Sequence, residues 1–420
     1  MSAMKIAMAA YGTRGDLEPC LTVGRELLRR GHEVRMAAPP DLVDFVEATG
    51  ITATAYGPNA KSSLEGDFLL NLWMDFPRNL TNVRRLSTLF RETRKRFVEA
   101  WPQMCSTIGS IAEGADLLLT GLSFEQQALP VAEFYDIPLV AIHPFPVRPN
   151  GQVPFLPAAV MRSVLGAYEW VHWLETKKLE DAHRRQLGLP RATQPAPRIM
   201  AERGTLEIQA YDAVCFPGLS EEWQQRRPIV GTLTLDLTSA ADDEVTSWIA
   251  SGTPPIYFGF GSIPVQTPDE TLEMISAACR QLGERALVCS GWSDFVEADQ
   301  LEHVKVVKTV SHAAIFPLCR AVVHHGGLGT TATGLRAGVP TLILWTLPDV
   351  HARGAVIRRQ KLGTTRRLAT TTKESLIADL RAILEPGCAA RAREFAGTMT
   401  KAAAGTASAA DLVENRMFAR

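Results

Sequence analysis

The sequence has 420 residues, 46% of them hydrophobic and 21% charged, which is too long for one core and leads to an expectation of two domains. Lys plus Arg number 44 against 45 for Asp plus Glu. So even a balance excludes a globally basic nucleic-acid binder, and no nucleic-acid partner is expected.

Residues 5–10 form a short apolar run that reads as a first strand, followed by the turn Tyr11-Gly12-Thr13-Arg14-Gly15. A helix beginning at Leu17 and ending at Arg30 is closed by Gly31, a C-terminal glycine signal. Strands are expected at 33–37 and 51–55 with a helix at 41–48 between them, and further strands at 116–120 and 138–142. Between the third strand and residue 116 lies a long insertion. There Leu80, Val83, Leu86, Phe90, Phe97 and Trp101 recur at helical spacing, surrounded by Arg78, Arg84, Arg85, Arg91, Arg94, Lys95 and Arg96. This stretch reads either as a helix packed on its own domain with a solvated basic face, or as an interfacial helix near anionic lipid.

The second half repeats the plan. A strand at 255–258 ends in Gly259-Phe260-Gly261-Ser262, a helix runs over 269–282, and strands follow at 286–290, 304–307, 321–324 and 341–344. Residues 1–217 and 232–420 are expected to be the two domains, with 218–231 as linker and the last helix packing back on the first domain. Alternating strands and helices give an α/β fold of two doubly wound, Rossmann-like domains. Facing each other, they would leave a ligand cleft at the carboxyl ends of their strands.

The densest cluster of chemistry is Val322-Val323-His324-His325-Gly326-Gly327-Leu328-Gly329-Thr330-Thr331. A strand runs through glycines into a helix, whose N-terminal amides and positive dipole suit an anion approached closely by backbone. His325 adds a ring N–H and Thr330 a hydroxyl, so the junction suits a diphosphate whose charge grows as it leaves. Asp16 follows the first strand and its glycine turn. It is read as a general base facing the cleft or as the N-cap of the following helix, two roles that are compatible. His143, after the fifth strand, is read as lining the acceptor cleft or as structural, and Trp292 as shaping the nucleotide pocket or filling core.

The glycine–histidine run resembles the nucleotide-sugar signature of family 1 glycosyltransferases with the GT-B fold. The resemblance is to the bacterial and sterol glucosyltransferase branch, above all the actinobacterial, mycobacterial-type enzymes that glycosylate surface glycolipids and glycopeptidolipids. Gly12-Thr13-Arg14-Gly15-Asp16-Leu17-Glu18-Pro19 resembles that family's N-terminal acceptor-side motif. Gly259-Phe260-Gly261-Ser262 resembles its phosphate-side turn, Ser290-Gly291-Trp292 the next loop, and Ser311-His312 to Phe316-Pro317 the segment whose backbone holds the nucleobase. Asp349 stands in the family's donor-sugar position, but Val350 replaces the usual Gln, and Thr333 stands where plant members carry an acid for ribose.

The resemblance implies an inverting enzyme with Asp16 as base. His325 and the amides near Gly327, Gly329 and Thr330 would hold the leaving diphosphate, and Ser262 would add a phosphate contact. The donor is expected to be a nucleoside-diphosphate sugar, with Val350 favouring a 6-deoxyhexose on a thymidine nucleotide over glucose. The acceptor is expected to be a hydrophobic hydroxyl compound. No cofactor and no metal are expected, since no Asp-x-Asp triplet occurs. The alternatives are a sterol or natural-product glucosyltransferase using UDP-glucose, a nucleotide-sugar epimerase, and a binding homologue without turnover. No apolar run reaches membrane-spanning length and the start lacks a signal pattern. A cytoplasmic protein is therefore expected, with peripheral contact at the anionic inner face of the plasma membrane. Seven scattered cysteines without a Cys-x-x-Cys pair read as reduced core thiols.

Overall fold

The computed structural model describes residues 3–65, 83–122, 124–153, 156–237, 241–263, 265, 267–293, 295, 302–346, 350 and 354–418. They build two six-stranded parallel sheets. The first contains β1 (Lys5–Ala9), β2 (Glu33–Ala38), β3 (Thr52–Ala55), β4 (Leu117–Thr120), β5 (Leu139–His143) and β6 (Leu206–Gln209), in the order β3-β2-β1-β4-β5-β6. The second contains β7 (Ile256–Gly259), β8 (Ala286–Cys289), β9 (Val304–Val307), β10 (Ala321–His324), β11 (Thr341–Trp345) and β12 (Gly363–Arg367), in the order β12-β11-β10-β7-β8-β9. Read from its other edge, the second sheet repeats the strand order of the first. Each is the doubly wound order, with its switch point beside the first strand.

The strands take this form because helices cover both faces, so central strands are apolar throughout rather than alternating. Leu117, Leu118 and Leu119 of β4 are all fully buried, as are Ile256 and Phe258 of β7. Around them Tyr56, Met104, Ile108, Leu118, Leu129 and Ala141 form one core, while Ile256, Phe258, Ile275, Val288, Val323 and Leu380 form another.

Six helices position the features discussed below: α1 (Arg14–Arg29), α2 (Val83–Ala112), α3 (Glu125–Tyr135), α4 (Ala158–Gln186), α5 (Leu328–Arg336) and α6 (Ala402–Phe418). The chain divides into two compact units, one holding the first sheet and ending its main run at Leu235, the other formed by Asp236–Met399. The C-terminal segment from Thr400 belongs to the first unit. There α6 lies on α1, with Arg30 bonded to Asp411 and Glu414 at 2.6 Å each and His32 to Glu414 at 2.8 Å.

The stretch 218–231, read from sequence as a linker, is folded structure of the first unit. Phe216, Leu219 and Trp223 pack with Tyr211 in a buried cluster, and Gln209 bridges to Ile229. Gly218 and Gly231 take φ +83 and +87 at the two ends of this stretch. All seven cysteines are free thiols, six of them buried.

Candidate active site

In the second unit the three turns after β7, β8 and β10 meet at one end of the sheet, at its switch point. Gly261 takes φ +58, and its carbonyl accepts a hydrogen bond from the Trp292 amide at 3.0 Å. Gly291 also takes φ +58, and a side-chain carbon there would lie 2.3 Å from the Gly261 carbonyl oxygen. The His325 ring rests on two glycines. A carbon on Gly261 would sit 2.5 Å from its Cε1, and one on Gly327 would sit 2.7 Å from its Nε2. Ser262 and Trp292 are half-buried in the same turns.

Helix α5 starts from Gly327 without a side-chain cap. The amides of Leu328, Gly329 and Thr330 therefore have no intrahelical acceptor, and they stand at the positive end of the helix. Thr331 and Thr333 donate their hydroxyls to the carbonyls of Gly327 and Gly329 at 2.8 and 2.9 Å, whereas half-buried Thr330 makes no such bond. Thr333, at the ribose position of the resemblance, is thus engaged within its own helix.

His324 serves the turn. It is fully buried, and its Nδ1 accepts from the Gly326 amide at 2.9 Å. Burial, then the proximity of His325 and His312, holds it neutral, far below the usual histidine range. Ser311 caps the short helix His312–Ile315 and also bonds Asp236, and its own amide donates to Asp242 at 2.9 Å. His312 stacks on Phe316 at 4.6 Å and meets the Tyr257 hydroxyl at 3.0 Å. Asp349 lies outside the described residues. Val350 is buried, and a carbon on Gly326 would lie 2.2 Å from its Cγ1. Val350 therefore fills the space above the signature turn. A cavity of about 270 Å³ lined by Arg358, Lys361 and Arg391 sits at β12, away from these turns.

In the first unit, α1 begins at Arg14, three residues earlier than expected, with Thr13 as N-cap. Asp16 is therefore the third helical residue rather than the cap. Its Oδ2 accepts from the Thr13 amide at 2.7 Å and the Thr13 hydroxyl at 2.9 Å. Gly12, at φ +131, makes room for this, since a carbon there would lie 2.5 Å from Oδ2. Asp16, Gly15 and Arg14 are exposed, with the Arg14 guanidinium 4.5 Å from the Phe45 ring. Behind the turn, Tyr11, Tyr56 and Phe124 form an aromatic trio with centroids 5.4–6.5 Å apart. Tyr11 and Phe124 stand just past the ends of β1 and β4.

The expectation for His143 is corrected. It does not follow β5 but ends it, paired in register with Gln209 of β6, and it is fully buried. It presents no surface to an acceptor. Its Nε2 donates to Glu125 at 2.5 Å, and Gln209 donates to its Nδ1 at 3.2 Å. Arg148 joins Glu125 at 2.6 Å and Glu207 at 2.5 Å, and Arg227 reaches Glu207 at 3.1 Å. Burial raises the Glu125 carboxyl, but Arg148 and His143 outweigh it and hold it down at about 2. The sequence shows no sign of this network, because its members are scattered from residue 125 to 227.

Of the basic stretch at 78–101, Arg78 and the side chains of Arg84, Arg85, Arg91 and Arg94 lie outside the described residues. Trp101 is buried against Phe97, and Lys95 and Arg96 are exposed. Among the described residues no helix is long and apolar enough to cross a membrane, and no cluster of metal-ligating side chains occurs.

Residues 6–146 match the model of the glycosyltransferase family 28 N-terminal domain, and residues 297–416 that of the erythromycin biosynthesis protein CIII-like C-terminal domain. The chain is 54% identical over 416 residues to an uncharacterized glycosyltransferase of Mycobacterium tuberculosis, covering 98% of this chain and 99% of that one. It is 29% identical over 406 residues to a sterol 3-beta-glucosyltransferase of Arabidopsis thaliana, covering 94% and 65%. Among solved structures, the glycosyltransferase of kitacinnamycin superposes with a TM-score of 0.69 at 20% identity, covering 99% of this chain and 100% of that one. The glycosyltransferase VinC in complex with dTDP gives 0.67 at 18%, covering 98% and 99%. These structures share the GT-B fold.

Proposed function

This chain belongs to the nucleotide-sugar glycosyltransferases of GT-B fold, and from that premise we propose an inverting, metal-independent hexosyl transfer to a hydroxyl of a hydrophobic acceptor. The acceptor class is a surface glycolipid or glycopeptidolipid. The observation that carries the proposal is the His325 ring seated on Gly261 and Gly327 beside the uncapped start of α5. A diphosphate leaving there gains amide and imidazole donors as its charge develops. The acceptor oxygen attacks the anomeric carbon, the bond from that carbon to the diphosphate oxygen breaks, and the acceptor proton passes to the Asp16 carboxylate.

The donor is a thymidine or uridine diphosphate sugar, and we read the sugar as a 6-deoxyhexose. Val350, packed on Gly326, offers no hydrogen bond of the kind a glutamine side chain would make. The dTDP bound to VinC is in keeping with a thymidine nucleotide. A second reading, transfer of glucose to a sterol, draws on the likeness to the Arabidopsis enzyme.

The test incubates the protein with dTDP- and UDP-linked glucose and 6-deoxyhexoses, with lipid extract or sterol, and reads products by mass spectrometry and anomeric configuration by NMR. A lipid product of inverted configuration with a 6-deoxyhexose is expected. Sugar nucleotide altered without any acceptor would replace transfer by epimerisation. A clear preference for glucose would overturn the donor assignment.

A further inference from the structure

Helix α4 is built inside out. Its inward face is mostly polar, with Met161 and Trp173 buried beside the polar groups, and these are paired except for Glu180 Oε1 and His183 Nδ1. Thr176 donates to Gln126 at 2.8 Å, Gln126 and Trp173 donate to Glu180 at 2.8 and 2.9 Å, and Arg184 pairs with Glu133 at 2.7 Å. Thr176, Glu180, His183 and Arg184 are all buried. Its outward face carries Val160, Val164, Tyr168, Trp170, Val171 and Leu174, between 39% and 62% exposed. Steps of three and four residues set most of these in one stripe. At 1.5 Å per residue the stripe is roughly 22 Å long.

Six of the ten large apolar side chains exposed among the described residues lie on this helix. Apolar side chains scattered singly need no explanation, but a contiguous stripe opposite a polar buried face marks an interaction surface. The charges at its rim indicate what covers it. Arg198, whose guanidinium lies 5.9 Å from the Trp170 ring, leaves 48% of its side chain in solvent, while the carboxylate that pairs with it, Glu169, keeps only 8%. Farther along the same arc Lys178 and Arg185 are exposed, with Glu175 the exposed acid between them and the stripe. A second copy docked here would set one basic rim against another. Anionic headgroups would not meet that repulsion.

We propose that the outward face of α4 is a membrane-docking surface that lies in the interface of an anionic bilayer. The apolar stripe enters the acyl boundary, Tyr168 and Trp170 sit at headgroup depth, and the arginines and lysines meet lipid phosphates. This gives the hydrophobic-acceptor reading a surface, but it is measured without donor or acceptor, so either can fail alone.

The full chain is sedimented with vesicles of equimolar phosphatidylcholine and phosphatidylglycerol. Wild type should partition onto them, less so at high salt or with phosphatidylcholine alone. The combined change Val164→Ser, Val171→Ser and Leu174→Ser should lower partitioning by at least about tenfold. Val171→Asp alone, at a side chain 55% exposed and so tolerated by the fold, should also release the protein. Nucleoside diphosphate affinity and melting temperature serve as controls and should stay at wild-type values. Wild type remaining in the supernatant would overturn the proposal, as would variants that sediment like wild type. A wild-type dimer broken by these changes, seen by light scattering, would make a second copy the occupant.

Discussion

Gly261 and His325 are fitted to one another, because a side-chain carbon on the glycine would lie 2.5 Å from Cε1 of the imidazole. The glycine also holds φ +58, a backbone region that residues with a β-carbon rarely enter. Gly261→Ala is therefore expected to displace the ring and weaken nucleoside diphosphate binding by about tenfold or more. Gly283→Ala is the control. It holds φ +68 with nothing within 4 Å of the added carbon, so it carries strain without the contact. It should lower the melting temperature and leave calorimetric diphosphate affinity unchanged. A loss of affinity equal in both variants would mean that strain, not the ring, is responsible.

Asp16→Asn keeps an oxygen able to accept from the Thr13 amide and hydroxyl. The melting temperature should therefore stay near wild type. Turnover should fall by roughly 10²–10⁴-fold, as for a lost general base. Normal turnover in a folded variant would place the base elsewhere, and buried His143 would not be its replacement.

Turnover should persist in chelator, since the leaving charge is assigned to the amides of α5 and to His325. Activity abolished by EDTA and restored by magnesium or manganese would contradict this assignment.

The Glu125–His143–Arg148–Glu207 network has a pH signature. The Glu125 carboxyl lies at about 2, below its ordinary 4.5, so its stabilisation is fully present above pH 4.5 and is lost as pH falls from there toward 2. Arg148→Met leaves two buried carboxylates without that guanidinium, which should cost about 3–5 kcal/mol in urea unfolding. Burial then dominates at Glu125, and the acid limb should move to higher pH. An unchanged acid limb would show that Arg148 does not set the carboxylate's ionisation.

Much of the fold was legible because central parallel strands are short apolar runs ending in glycine turns, as at β1, β7 and β10. The edge strands β6 and β12 were not legible. Gly363–Arg367 is half-buried along its length and contains Thr and Arg, so it lacks an apolar run. Missing β6 also misplaced His143, whose strand register depends on Gln209. Helix α4 was not legible because most of its large apolar residues face outward while Thr176, Glu180, His183 and Arg184 are buried, the reverse of what a core-facing stripe shows. The residues of the diphosphate turns were legible as a motif, but not the seating of His325 on two glycines some 65 residues apart, which depends on strand order.

The most direct test of the account is calorimetry of dTDP, UDP and the corresponding free nucleosides on wild type and His325→Ala. If the leaving diphosphate sits on the glycine turns beside α5, the variant should lose diphosphate affinity by about tenfold or more and bind the nucleosides nearly as before. Equal losses for diphosphate and nucleoside, or no loss for either, would contradict that placement.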